Sequence, residues 1–178
     1  MCGIVAYFGQ KAAQPILLEG LKRLEYRGYD SAGIALLKDN QFDLFKTSGR
    51  IANLKEILPA VDKRATAGIG HTRWATHGEP NTTNAHPHID YTGKIALVHN
   101  GIIENYSTLK KWLIKEGCPF KSDTDTEVVA NLIGYFYAHF RDRNGDAPPA
   151  ECNRFEWAVQ QALNEVYGTY GLAIMCLD

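Results

Sequence analysis

An apolar face repeats along residues 128–140 more regularly than anywhere else in the chain, and this feature constrains the fold most. Its members recur at the spacing of one helix face: Val128, Val129, Leu132, Ile133, Phe136, Tyr137 and Phe140. So wide an apolar face is typical of a helix that packs against a core. The chain has 178 residues, which is enough for one domain with such a core.

The rest of the sequence alternates strand patterns with helical ones. We predict a hairpin from residues 33–37 and 42–46, and a strand at 95–99 that ends in the turn dipeptide Asn100-Gly101. The other predictions are strands at 4–8 and 170–177 (the latter buried), helices at about 14–25, 51–61, 104–116 and 155–166, a C-cap at Gly117, and a surface loop at 141–149. This alternation indicates an α/β or α+β domain.

Charge and cysteine content exclude several classes of protein. Nineteen basic and twenty acidic residues give a net charge of −1, so neither nucleic acid nor a membrane is expected as a partner. The first apolar run is too short for a signal peptide, and none approaches the roughly 18 residues of a spanning helix. Four cysteines without C-x-x-C spacing favour reduced thiols in a cytoplasmic protein.

The segment 68–99 is long and polar, and it carries five of the six histidines. A polar loop of this length inside a compact domain is usually functional or disordered, and Arg73, Trp74 and His77 argue against disorder. His86 and His88 would point to one side of an extended segment, as a pair of metal ligands does. Structural histidines are the simpler interpretation, and metal binding stays an alternative.

Two other patterns resemble ligand motifs but lack essential residues. Gly68-Ile69-Gly70 is missing the third glycine of a dinucleotide loop, and no phosphate-loop lysine follows. Residues 123–127, Asp-Thr-Asp-Thr-Glu, start like a calcium loop but lack the required glycine. Helix capping by Thr124 or Asp125 explains part of this segment, although capping does not require two aspartates.

Cys2 directly follows the initiator methionine and has two possible roles. It is either a small core residue, which the residues alone favour, or the mature N-terminus after removal of Met1. In the second case one residue carries a thiol and an α-amine with a pKa of about 7.7–8.0, a known arrangement of nucleophile and base. Asn100 and Gly101 could then supply an amide and a backbone N–H to a tetrahedral oxyanion.

Arg73 and Trp74 are ambiguous when they are considered alone. An arginine is most often a surface residue, yet its fork suits a carboxylate because two parallel hydrogen bonds fix the orientation. Trp74 either covers a ligand or packs in the core.

Six blocks of the sequence resemble the class II glutamine amidotransferases, and the match runs with gaps from Cys2 to about Leu177. The blocks are M-C-G-I-V at the start, L-E-Y-R-G-Y-D-S-A-G-I-A at 24–35, H-T-R-W-A-T-H-G-E-P at 71–80, N-A-H-P-H at 84–88, V-H-N-G-I-I-E-N at 98–105 and S-D-T-D-T-E-V at 122–128. Within that family they most resemble glutaminase domains that precede two sugar isomerase domains.

The resemblance implies an α+β fold of the N-terminal-nucleophile hydrolase type. This fold is a four-layer αββα sandwich with two antiparallel sheets between helical layers. In the family the glutaminase domain continues beyond the strand near Leu177. Residues 1–178 are therefore expected to form one glutaminase domain that lacks its last strands, without the sugar isomerase domains.

The resemblance also implies roles for individual residues. Cys2 would be the nucleophile, with its α-amine as base through a water, and Asn100 and Gly101 would form the oxyanion hole. The residues implied in glutamine binding are Arg73 at the α-carboxylate with Thr76 and His77 beside it, Asp125 at the α-ammonium, Trp74 as a cover, and Arg27 with Gly28 in the wall. Neither a cofactor nor a metal is implied.

The implied reaction is hydrolysis of glutamine to glutamate and ammonia through a Cys2 thioester. In the full enzyme the ammonia would convert fructose 6-phosphate to glucosamine 6-phosphate on sugar isomerase domains of the same or another chain. Three hypotheses therefore remain at this point: an active glutaminase, a non-catalytic fragment that binds glutamine or a partner, and a histidine-rich metal-binding module.

Overall fold

A computed structural model of the chain describes residues 2–74, 79–140 and 153–177. The strands are β1 (Gly3–Phe8), β2 (Ser31–Lys38), β3 (Gln41–Ser48), β4 (Ala67–Arg73), β5 (His88–Ile89), β6 (Ile95–Ile103) and β7 (Gly168–Cys176). The helices are α1 (Ala13–Leu24), α2 (Ile51–Ile57), α3 (Tyr106–Lys115), α4 (Asp125–Ala138) and α5 (Arg154–Glu165), and a 3-10 turn spans Glu25–Arg27. No helix in this part of the chain is long and apolar enough to cross a membrane.

The strands form two antiparallel sheets. The first sheet has the order β1-β4-β2-β3 and the second has the order β5-β6-β7. One buried cluster joins α1 and α2 to the first sheet, a second lies between the sheets, and a third joins the second sheet to α3, α4 and α5. The layers therefore follow the order αββα, which confirms the predicted α+β class and its sandwich architecture.

Side chains in β4 alternate between the two faces of the first sheet. Ile69 faces the second sheet, whereas Gly68 and Gly70 face α1. A Cβ atom at Gly68 would lie 2.8 Å from Leu17 Cδ1, and one at Gly70 would lie 3.0 Å from Leu21 Cδ1. Gly68 and Gly70, which formed the incomplete dinucleotide motif, thus let α1 lie close against the sheet. Ile69 fills the layer between the sheets.

Most element predictions are confirmed, and the hairpin and Gly117 illustrate the reasons. Asp39 and Asn40 form the hairpin turn with φ of 48° and 59°, as a two-residue turn of this type requires. Gly117 follows α3 with φ of 86°, and its N–H donates to the Ile114 carbonyl at 3.1 Å. The expected loop at 141–149 lies outside the described residues.

Three predictions of extent or burial are wrong. Helix α2 ends at Ile57 because Leu58 precedes Pro59 and is extended. Strand β6 does not turn at Asn100-Gly101 but continues to Ile103, since β7 pairs with it to the end. Strand β7 is exposed or half-buried along its length, because it is an edge strand that pairs with β6 alone among the described strands.

Candidate active site

The start of β1, the end of β4 and the middle of β6 bring polar side chains together in the layer between the sheets. Cys2 precedes β1, Arg73 ends β4, and Asn100 lies in β6. The register of β1 on β4, with Gly3 opposite Thr72, places Cys2 beside Arg73. Asn100 has the same strand parity as Ala96 and Val98, which face the first sheet. Residues that lie up to 98 positions apart in sequence therefore meet at one end of this layer.

The backbone of Trp74 contacts the sulfur of Cys2 with both its N–H and its carbonyl. The Trp74 N–H donates to Cys2 Sγ at 3.1 Å, and the Cys2 thiol donates to the Trp74 carbonyl at 3.4 Å. Gly28 packs on the same segment, where a Cβ atom would lie 3.0 Å from the Arg73 carbonyl carbon and 3.1 Å from the Trp74 nitrogen. An N–H directed at the sulfur can stabilise negative charge on it. The absence of a side chain at Gly28 thus leaves room for the backbone of Arg73 and Trp74.

Asn100 contacts Cys2 with its amide group. Its Nδ2 donates to the Cys2 backbone carbonyl at 3.3 Å, and its Oδ1 lies 2.9 Å from His71 Nε2. The next residue, Gly101, has φ of 134°, and a Cβ there would collide with the Thr169 carbonyl oxygen of β7. Only glycine fits at position 101 while β6 and β7 stay paired.

Arg73 and Asp125 are two buried side chains of opposite charge that lie close enough to interact, and Arg73 also interacts with Cys2. Their exposed fractions are 3% and 5%. Burial lowers the pKa of the Arg73 guanidinium below its ordinary value, and the nearby Cys2, Asp125 and Asp30 oppose this shift. Asp125 Oδ2 accepts the Ile103 N–H at 3.0 Å and lies 3.9 Å from His99 Nδ1. A buried guanidinium close to a thiol, with a buried carboxylate near that guanidinium, suits a small zwitterionic ligand.

The start of α4 shows which residues of the 123–127 segment are structural. Thr124 is the N-cap, and its hydroxyl accepts the Glu127 N–H at 3.2 Å. The Glu127 carboxylate accepts the backbone N–H groups of Lys121 and Ser122 at 2.9 and 2.6 Å. Capping by Thr124 is therefore confirmed. The Asp125 carboxylate takes no part in that cap, and it lies in the first turn where the helix dipole favours an anion.

Three buried histidines support α4 through threonine hydroxyls. His86 Nε2 and His99 Nδ1 lie 2.6 and 3.1 Å from Thr126 Oγ1, and His88 Nε2 lies 3.1 Å from Thr124 Oγ1. Burial lowers the pKa values of His86 and His88 well below the ordinary value. Within the described residues no group of three or more His, Cys, Asp or Glu side chains is placed to hold a metal ion. These histidines are explained by their hydrogen bonds.

Four predicted site residues remain, and the structure describes two of them, Arg27 and Trp74. Arg27 ends the 3-10 turn and is half-buried. The Trp74 ring is 48% exposed and packs edge-on against Tyr29, with ring centroids 6.0 Å apart. Thr76 and His77 lie outside the described residues.

Two participants in the site were missed by the reasoning from sequence. One is the Trp74 peptide group, which binds the Cys2 sulfur, because no sequence pattern reports a backbone contact. The other is His71, which contacts Asn100. His71 lies inside the H-T-R-W block, so the resemblance contained the residue but gave no reason to single it out.

Comparison with known proteins finds relatives of this chain. Residues 60–143 match the glutamine amidotransferase domain family. The chain is 54% identical over its full length to glutamine–fructose-6-phosphate aminotransferase (isomerizing) of Caldanaerobacter subterraneus subsp. tengcongensis, of which it covers 27%. It is 52% identical to the protein of that name from Bacteroides thetaiotaomicron over 98% of this chain and 27% of that protein.

Solved structures share the fold. The glutamine phosphoribosylpyrophosphate amidotransferase of B. subtilis, complexed with ADP and GMP, superposes with a TM-score of 0.76 at 25% identity, over 99% of this chain and 35% of that one. A glutamine aminotransferase class-II domain protein from Silicibacter pomeroyi shares the fold alone, with a TM-score of 0.56 and 17% identity over 99% of this chain and 73% of that one.

The family match over residues 60–143 and the shared fold are those of a class II glutamine amidotransferase domain with N-terminal-nucleophile architecture. More particularly, the chain is homologous to the glutaminase part of glutamine–fructose-6-phosphate aminotransferases, and it spans about a quarter of their length, 27% for the two relatives above.

Proposed function

We propose that this chain hydrolyses glutamine to glutamate and ammonia through a thioester on Cys2. The observation that carries the proposal is the position of Cys2 Sγ at the end of β1, where the Trp74 N–H donates to it at 3.1 Å. The Asn100 amide lies against the backbone carbonyl of the same cysteine. A sulfur and an amide donor at one point are what acyl transfer from an amide requires.

In the proposed reaction, Met1 is absent and the α-amine of Cys2 takes the thiol proton through a water. The sulfur attacks the side-chain carbonyl carbon of glutamine, and the Asn100 amide and the Gly101 N–H stabilise the oxyanion. The tetrahedral intermediate collapses, the C–N bond breaks, and ammonia leaves with a proton from the amine. Water then attacks the thioester, which releases glutamate and restores the thiol.

Glutamine is proposed to bind by its zwitterionic end. The Arg73 guanidinium takes the α-carboxylate, with Thr76 and His77 beside it, and Asp125 takes the α-ammonium together with the Gly101 carbonyl. Trp74 covers the site, and Arg27 and Gly28 shape its wall. The burial of both Arg73 and Asp125 supports this assignment, because two buried charges of opposite sign match both charged groups of an amino acid.

The name shared by the relatives supports a wider proposal. We infer that the ammonia serves to convert fructose 6-phosphate to glucosamine 6-phosphate on sugar isomerase domains, which belong to the same chain or to a partner chain. The reduced-thiol cysteine pattern supports a cytoplasmic location.

The first experiment measures glutamate released from glutamine by the untagged protein, with an intact mass that reports whether Met1 is removed. We expect activity in the wild type, none in Cys2→Ala, and unchanged activity in Cys176→Ala. Cys176 is the matched control because it is a half-buried free thiol in β7, outside the proposed machinery.

The outcomes separate the hypotheses. Equal activity in wild type and Cys2→Ala would contradict the Cys2 thioester. A folded protein with a free Cys2 that binds glutamine without cleaving it would favour the non-catalytic fragment. That second candidate is supported by the edge strand β7, whose first residues are exposed.

A further inference from the structure

We propose that His71 is a positioning residue for this reaction, and that its Nε2–H donates to Asn100 Oδ1 and turns the amide NH2 of Asn100 toward Cys2. This inference rests on the proposed function, because a fixed NH2 group contributes to catalysis only if it donates a hydrogen bond to an oxyanion. It adds a residue to the machinery for which the sequence reasoning gave no role.

The orientation of the Asn100 amide follows from its contact with the Cys2 backbone carbonyl. The group of Asn100 that lies 3.3 Å from the Cys2 backbone carbonyl must be the NH2, since a carbonyl oxygen can only accept. The amide oxygen then faces His71, whose Nε2 lies 2.9 Å away. An amide oxygen also only accepts, so Nε2 of His71 has to carry the ring proton.

The environment of His71 fits a neutral ring with a single proton. The side chain has no exposed surface, and burial lowers its pKa from the ordinary value of 6.5 to about 4. At neutral pH the ring is therefore uncharged and has one N–H to give. The His86 ring lies against it, with centroids 4.2 Å apart and planes tilted by 31°, which restricts its rotation.

The contact between His71 and Asn100 holds the Asn100 amide in one orientation. A half-turn of the Asn100 amide would set its oxygen against the Cys2 carbonyl oxygen and its NH2 against the His71 N–H. Both pairings are repulsive, so the protonated Nε2 makes the productive orientation the only one with two hydrogen bonds. A donor that is held in place before the reaction stabilises the transition state more than one that has to reorient.

Two substitutions of similar size and polarity test this role. In His71→Gln the side-chain amide nitrogen reaches about as far as Nε2 and can still donate to Asn100 Oδ1. In His71→Asn it corresponds to Nδ1 and stops short. We expect His71→Asn to lower kcat for glutamine hydrolysis by about tenfold with KM retained, and His71→Gln to stay within about threefold of wild type.

A double variant of His71→Asn and Asn100→Ala tests whether His71 acts through Asn100. If His71 acts through Asn100, His71→Asn causes no further loss of kcat in the Asn100→Ala background. The same fold loss in both backgrounds, or equal losses in His71→Gln and His71→Asn, would overturn the proposal.

The tautomer provides a readout that requires neither activity nor a variant. Nitrogen-15 NMR of histidine-labelled wild-type protein at pH 7 should find His71 protonated at Nε2 and not at Nδ1. Protonation at Nδ1 would overturn the proposal whether or not the chain is active. A protein that has the Nε2–H form but releases no glutamate would instead count against the proposed function and leave the contact with Asn100 established.

Discussion

The layer between the two sheets has two ends that differ in chemistry, although β1, β4 and β6 run through both. We define the polar end by Cys2, His71, Arg73 and Asn100, and the apolar end by Ala35, Ile69, Ala96, Val98 and Met175. The apolar end gains stability from burial itself, whereas the polar end has to satisfy each buried group with a partner. Strand β4 thus contributes to both ends, with Ile69 at the apolar end and His71 at the polar end.

The comparison predicts that substitutions at the polar end change catalysis and that substitutions at the apolar end change stability. Four experiments follow, from the largest expected effect to the smallest.

Replacing Asn100 tests the polar end most severely. Asn100→Ala should lower kcat for glutamine hydrolysis by about 10²–10³, because the transition state would lose the donor that we propose for its oxyanion. Asn100→Asp should be at least as damaging, since it keeps an acceptor for His71 but loses the NH2. The control is Asn53→Ala, at an exposed position of α2. Near-normal kcat in either Asn100 variant would remove this residue from the oxyanion hole.

Ile69→Ala tests the apolar end. Ile69 is 2% exposed between the sheets, so truncation leaves a cavity and should lower the free energy of unfolding by about 3 kcal/mol. Below the melting transition, kcat and KM should stay near wild type. The matched control is Ile57→Ala at the exposed end of α2, which should cost far less. A large loss of kcat in folded Ile69→Ala would mean that the two ends are not separable.

Asp125→Asn tests substrate recognition apart from catalysis. Removal of the charge should raise KM for glutamine by about 10- to 100-fold with a smaller change in kcat, because a charged hydrogen bond to the α-ammonium is lost. Asp123→Asn is the matched control, since Asp123 is exposed two residues earlier in the same segment. An equal rise of KM in both variants would point to a general effect of charge.

Mild acid should lower the free energy of unfolding through the buried His71 of the polar end. The pKa of His71 is about 4 in the folded protein against 6.5 ordinarily, so the unfolded chain binds more protons between these values. The free energy of unfolding therefore falls as the pH drops below 6.5, by about 2 kcal/mol from His71 alone at pH 5. His86 and His88 act in the same direction, because burial also lowers their pKa values.

Denaturant unfolding at pH 7 and pH 5 measures this effect. His71→Gln should lose less stability than wild type between the two pH values, and His139→Gln, at an exposed position after α4, serves as the control. An identical pH dependence in His71→Gln and wild type would show that the burial of His71 does not govern the change.

The sequence by itself determined most of the elements. Runs of β-forming residues bounded by turn residues set β1 and the β2–β3 hairpin, helical spacing set α1 and α3 to α5, and the six motif blocks indicated the family. Local patterns suffice for these features because hydrophobic period and turn chemistry act over a few residues.

Tertiary structure decided the features that depend on distant partners. The continuation of β6 through Asn100 and Gly101 depends on β7, roughly 70 residues away, and the exposure of β7 depends on its having one neighbouring strand in the described sheet. The Trp74 peptide on the Cys2 sulfur and the His71 contact to Asn100 are likewise long-range. Local sequence does not encode such contacts, because they arise only where the start of β1, the end of β4 and the middle of β6 meet in one layer.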